Sequence, residues 1–300
     1  MSEDVLDPGR MAAWCIVPYD SERRGPADRA AMLADLGFAG EVWDWRDEHV
    51  AQFGAECDAL AKRDLELFGF WTPHVTPARD EEGLGAINPA VRGFVAEAAT
   101  RGITPQLWTC LEFGEPGPVP EVGIGEHTIN ITRHAIHLEP LADLAGANGM
   151  EVALYNHLGW AGEPSHMIAI IDSLRSRGID NVRIVYQQHH AHHRMDDWPD
   201  VLASITPHLA ALGLNGMVPG AHWGDGKIHP YGHGPRDVEF ARAVVDSGWD
   251  GLVTLLCHTM DDAEARLRDN LEGLAWVRAQ LAGDEAELPT PRVPAPVWPH

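Results

Sequence analysis

Histidine is the residue whose placement in this sequence points first to chemistry. The 300-residue chain carries 17 histidines, and several follow directly on short apolar runs. His157 closes EVALYNH (151–157), His258 follows GLVTLLC (251–257), and NVRIVYQ (181–187) leads into Gln188-His189-His190-Ala191-His192-His193. Neutral imidazole ligates borderline metal ions and transfers protons near neutral pH. A single histidine is more often a hydrogen-bonded or solvated side chain. His157 and His258 belong to separate runs, however, and only the fold can bring them together, whereas His189 to His193 is a local run that reads partly as a solvated loop.

A second group lies in LGLNGM (212–217) and the segment after it: Asn215, His222, Lys227, His229 and His233. Lys227 and Lys62 are the only lysines in a chain that otherwise uses arginine. A lysine kept at such a place suits a compact, tunable point charge, although an exposed side chain is the plain alternative. The glycines of GDGKIHPYGHG (224–234) lack the spacing of a phosphate-binding loop. Among the acids, Glu112 ends one apolar run and Glu41 sits within another, either able to serve as acid or base. Glu163, just before Pro164, reads as a helix cap. Trp14, Trp43, Trp45, Trp71 and Trp108 fall near the ends of the first four runs, with Trp160 and Trp223 later. Indole rings stack on the apolar faces of sugars, and core packing accounts for about half of such residues.

What must position these residues is an alternation of short β-prone runs and longer helical patterns. Eight strand candidates occur: 12–18, 40–45, 65–71, 104–110, 151–157, 181–187, 212–217 and 251–257. Helical patterns such as 27–37, 88–102 and 237–248 intervene, and 261–281 places Leu267, Leu271, Leu274 and Leu281 on one stripe. Eight βα units with right-handed crossovers predict an α/β fold, a (β/α)8 barrel spanning residues 1–282, with catalytic residues at the C-terminal ends of its strands. A doubly wound sheet is the alternative. Residues 283–300 form a proline-rich tail, read as a linker, a disordered end or a strap on a neighbour.

Composition narrows the partners. A formal charge of −23 opposes binding to a phosphate backbone or an anionic membrane, so neither nucleic acid nor membrane is expected. There is no signal peptide and no run of about 18 apolar residues, which reads as a cytoplasmic protein. Cys15, Cys57, Cys110 and Cys257 are scattered and expected to be reduced.

The passages EVALYNHLGWAGEP (151–164), NVRIVYQQHHAH (181–192), LNGM (214–217), KIHPYGHG (227–234) and LLCH (255–258) resemble the xylose isomerase-like, or sugar phosphate isomerase/epimerase-like, TIM barrels, up to about residue 281. The resemblance implies a carbohydrate substrate. The superfamily's usual metal site takes Glu, Asp, His and Glu from strands five to eight, and those positions fall here at Tyr155, Gln187, near Gly213 and near His258, so this is an atypical branch. Loss of those ligands speaks against the superfamily's endonuclease IV-like repair enzymes. Its C-glycoside deglycosidases, which act on 3-keto sugars, supply a precedent for enolate-like chemistry.

The expectation is a sugar or keto-sugar isomerase or epimerase that abstracts a proton α to a carbonyl. Alternatives are a lyase or hydrolase cleaving 3-keto-glycosides and a non-catalytic sugar-binding barrel. Expected catalytic residues are His157, Glu112 and Lys227. Trp14, Trp43, Trp71, Trp108, Trp160, Asn215 and His229 are expected to bind substrate. A divalent ion, Zn²⁺ or Mn²⁺, held mainly by His157, His189, His190 and His258, and a metal-free acid–base site stand as alternatives. A homo-oligomer is left open.

Overall fold

The apolar runs form eight strands in a computed structural model that describes residues 4–77, 85–221 and 226–293. They are β1 (Ala12–Trp14), β2 (Gly40–Trp43), β3 (Glu66–Trp71), β4 (Gln106–Thr109), β5 (Val152–Tyr155), β6 (Val182–Gln187), β7 (Leu209–Leu214) and β8 (Leu252–Leu256). Every pairing is parallel, and β1 pairs with both β2 and β8, which closes the barrel. A helix follows each strand: α1 (Pro26–Leu36), α2 (Phe53–Ala61), α3 (Pro89–Arg101), α4 (Ile124–Gly146), α5 (Pro164–Arg175), α6 (Trp198–Ile205), α7 (Asp237–Asp246) and α8 (Ala263–Ala282). This is the (β/α)8 architecture read from the alternation. His222 and Trp223 lie outside the described residues.

Local chemistry sets the element ends. Proline opens α1, α3 and α5, where its missing N–H costs no helical hydrogen bond. Gly37, Gly102 and Gly283 close α1, α3 and α8 in the left-handed conformation. Strand β7 begins three residues before the expected 212. Pro207 follows the short α6 and stops it from propagating, so the chain enters the sheet at Leu209, beside Ile184 of β6. Asn215 and Gly216 leave the ladder, and Gly216 bridges His229 instead.

Alternation along the strands separates two apolar layers. Between strands and helices, Trp43 packs against Phe53 and Phe94 with ring centroids 5.2 and 5.3 Å away. Inside the barrel, Trp14, Val42, Trp108, Ala153, Tyr155, Val185 and Leu256 fill the centre. Beyond α8, the tail residue Arg292 pairs with Asp269 and Glu272, and the Val293 N–H donates to Asp269 Oδ2 at 3.0 Å. The described part of the tail therefore straps α8 of its own barrel. Among the described residues no helix is long and apolar enough to cross a membrane.

Candidate active site

The barrel mouth at the C-terminal ends of the strands holds a cavity of about 650 Å³. Its lining includes Trp14 at the end of β1 and Cys15 after it, Asp44 and Arg46 after β2, Trp71 at the end of β3, Tyr155 at the end of β5 and His157 after it, His190 after β6, and His258 after β8. The floor is aromatic. Trp14 meets Trp108 at 5.0 Å and Trp71 at 6.2 Å, and its indole N–H donates to the Tyr155 hydroxyl at 3.3 Å. Burial pushes the Tyr155 phenol well above its ordinary value, so it stays neutral.

The exit from β5 turns sharply. The His157 N–H donates to the Tyr155 carbonyl at 2.8 Å, and Leu158 takes a left-handed φ of 66°. A bulky residue in that region stores strain, of the kind that gathers at functional loops. The turn sets the His157 ring 4.4 Å from His190 and edge-on to Phe113 at 5.0 Å. His189 and His190 sit in a short 3-10 turn, their ring centroids 3.9 Å apart, and both are buried. The expected solvated loop is thus largely inside the protein.

Burial, reinforced by the Lys227 charge, lowers all four of these imidazoles. His157 falls to about 4, His258 to about 3, and His189 and His190 fall well below the usual range. At neutral pH each is an uncharged ring. Lys227 is itself buried, and loss of hydration brings it down to about 8. Its segment is held by the two-way backbone pairing of Gly216 with His229, at 3.0 and 2.7 Å.

Gln187 is fully buried and reaches toward the Thr254 hydroxyl at 3.5 Å. Its side-chain amide lies against Gly213, where a Cβ would come within 1.7 Å of Gln187 Oε1, so only glycine fits. Among the described residues no three His, Cys, Asp or Glu side chains are arranged to hold one metal ion. His157, His189, His190 and His258 therefore do not fit a shared ion as placed.

Other expected residues sit elsewhere. Glu112 lies apart from the cavity lining: its carboxylate takes the Ala161 N–H at 3.0 Å and pairs with His134 at 3.1 Å. Burial opposes its ionisation, but the His134 and Ala161 hydrogen bonds, with the His134 and Arg133 charges, bring its pKa below the ordinary carboxylate value. It is a clamp between α4 and the loop after β5. Trp43 belongs to the layer outside the barrel, because successive strand residues face opposite sides and Val42 takes the inner one. Trp160 stacks on His166 at 4.0 Å and His134 at 5.7 Å, beside the barrel mouth. Trp108 is fully buried under Trp14 and supports the floor without lining it. Asn215 and His229 do not line the cavity and shape the Lys227 segment.

Glu41 faces α1 and α2, 3.9 Å from Arg29, which pairs with Glu56. Glu163 occupies the cap position of α5 without capping it, and binds His193 at 2.7 Å and Arg194 at 2.9 Å.

Sequence reasoning missed Asp44, Arg46, Tyr19 and Cys15 in the wall. The only signal for Asp44 was its place between two tryptophans at the end of a strand, Trp43-Asp44-Trp45. It also missed α4, whose buried His134 and His137 bind Thr76 at 2.8 Å and stack on His74 at 4.1 Å.

No family model matches the sequence, and no curated protein does. Solved structures do resemble the fold. A 3-keto-D-glucoside 4-epimerase, YcjR, from E. coli is 15% identical with a TM-score of 0.65, covering 90% of this chain and 99% of that one. The IolI protein with a bound zinc atom is 14% identical with a TM-score of 0.67, covering 89% and 98%. An L-ribulose 3-epimerase is 16% identical with a TM-score of 0.60, covering 95% and 97%. Likeness at such identities speaks for architecture alone, and the architecture is a (β/α)8 barrel.

Proposed function

We propose that the chain is an enzyme that acts on a sugar or keto-sugar by removing a proton α to a carbonyl. The carrying observation is one cavity with an aromatic floor and uncharged imidazoles in its wall; buried Lys227 lies outside the lining, and its charge acts on those imidazoles. The resemblance to sugar epimerases supports the substrate class. Trp14 and Trp71 hold the apolar face of the ring. His157, uncharged and in the wall, takes the C–H proton. The electron pair left on carbon becomes the C–C π bond of an enolate, and the carbonyl pair moves to oxygen. The positive charge of Lys227 stabilises that oxygen.

The test is solvent-deuterium exchange, followed by NMR, on D-allulose, D-fructose, L-ribulose and 4-nitrophenyl 3-keto-β-D-glucoside. The parent protein is expected to exchange the proton α to the carbonyl of at least one. His157→Gln and Lys227→Met should each slow it by about 100-fold or more. Saturable binding of these sugars with no exchange at carbon would leave a binding protein in place of an enzyme. Release of 4-nitrophenol would make elimination the reaction.

A further inference from the structure

Strands β2 and β5 are three apart in a closed eight-stranded barrel, so the residues that follow them stand on different sides of its mouth. His157 follows β5 and Asp44 follows β2, and both line the cavity. Asp44 is only 1% exposed. Its Oδ1 accepts the Val17 N–H at 3.0 Å, while the buried Oδ2 meets no N–H or O–H donor among the described residues. A buried carboxylate is normally tied down by a cation, and Arg46 is at hand. Arg46, however, directs its N–H groups to the carbonyls of Asp44 and Trp45 at 2.6 and 2.7 Å and to the Tyr19 hydroxyl at 3.0 Å. The carboxyl group of this cavity-lining residue is left with one oxygen fixed by Val17 and a second, buried one with the Cys15 thiol as its neighbour.

We propose that Asp44 is a second acid–base residue of this site, serving the face of the substrate opposite His157, so that the reaction is an epimerisation. This rests on the function proposed above. His157 takes the proton from one face of the carbon, giving the enolate. The Asp44 O–H then delivers its proton to the same carbon from the other face, as the C–C π pair becomes the new C–H bond and the carbonyl re-forms. The enzyme is left with an imidazolium and a carboxylate, and exchange with solvent restores both.

The surroundings keep this carboxyl group protonatable. Burial raises it to about 6, against the lowering influence of Arg46, of backbone N–H groups including that of Val17, and of Arg29 from α1. The Cys15 thiol lies beside it at the end of β1, and Tyr19, Glu41 and Cys257 feel its charge from the loop after β1, from β2 and from the end of β8. Cys15 takes a φ of 61°, a strained value that lets β1 end against Asp44.

Asp44→Asn keeps an oxygen for the Val17 N–H and removes the exchangeable proton. The same sugars are incubated in D2O with the parent and with this variant, and deuterium in recovered substrate is measured separately from epimer formed. The expected result is a loss of epimer formation of at least about 100-fold, with exchange on the His157 face persisting and KM nearly unchanged. Because Asp44 must be protonated to act as the acid, parent kcat should fall as pH rises through about 6. The variant should lack that limb.

Epimer formation that survives in Asp44→Asn overturns the proposal, as does an equal loss of exchange and epimer formation, which would make Asp44 a positioning residue. Exchange by the parent without epimer leaves the proposed function standing and removes Asp44 from it. A parent inert on every sugar overturns the proposed function and this inference together. Should the variant fail to fold, the parent profile decides, and kcat flat between pH 5 and 7 counts against Asp44.

Discussion

Trp14 of β1 donates its indole N–H across the barrel to the hydroxyl of Tyr155 at the end of β5, 3.3 Å away. Those strands are four apart, so the bond spans the floor of the cavity. Tyr155 is here a neutral phenol tied to an indole. Tyr155→Phe should lower stability by about 1 kcal/mol by leaving the Trp14 N–H without its acceptor. Deuterium exchange should stay within a few-fold of the parent. Abolished exchange in a folded Tyr155→Phe protein would shift the chemistry from His157 to Tyr155.

The two tryptophan classes separate under mutation. Trp43→Ala removes a fully buried ring from among Phe53 and Phe94 and should destabilise by about 3–5 kcal/mol. Trp71→Ala, in the cavity wall, should cost less stability but raise KM for the sugar at least several-fold. Chemical denaturation beside steady-state kinetics distinguishes them, and equal stability losses would contradict the placement of the two rings.

Acid should destabilise the fold through its buried histidines. The pKa values of His157, His258 and His137 in the folded protein lie at about 4, 3 and 4, below the 6.5 of an unfolded histidine. The unfolded chain therefore binds protons first. The stability these groups contribute is complete above pH 6.5 and is lost as pH falls through the folded values. Between pH 6.5 and 5 the loss should be about 1–2 kcal/mol per histidine, measurable by urea titration. Stability constant over that range would mean the rings are protonated in the fold.

The tail should contribute to stability although it lies outside the barrel elements. Asp269 is buried, and Arg292 and Val293 supply three donors to its carboxylate. Truncation after residue 284 should cost at most about 1–3 kcal/mol by leaving those oxygens unpaired. An unchanged melting temperature would show that water replaces the tail without loss.

Metal dependence gives a further check. Because no three candidate ligands converge among the described residues, exchange activity should survive dialysis against a chelator. Stoichiometric metal in the purified protein that disappears in both His157→Ala and His258→Ala would instead establish an imidazole site.

The sequence by itself determined the architecture. Strand and helix periodicities are local properties, and most of the βα units carried their own boundaries in proline, glycine and apolar spacing, α4 and the start of β7 being the exceptions. It also pointed to His157, His190, His258, Trp14 and Trp71, because residues that follow strands in such a barrel must reach its mouth. Which side of the wall a residue takes was decided only by the closed barrel: Trp43 and Trp14 look alike in sequence, yet one faces the helices and the other the cavity. Glu112 became a clamp because α4, distant in sequence, brought His134 to it. Asp44 joined the site because barrel closure sets the ends of β2 and β5 on different sides of one mouth, and because Arg46 spends its donors on backbone carbonyls and Tyr19. Partnering of that kind depends on contacts between distant segments, and no local pattern in the chain records it.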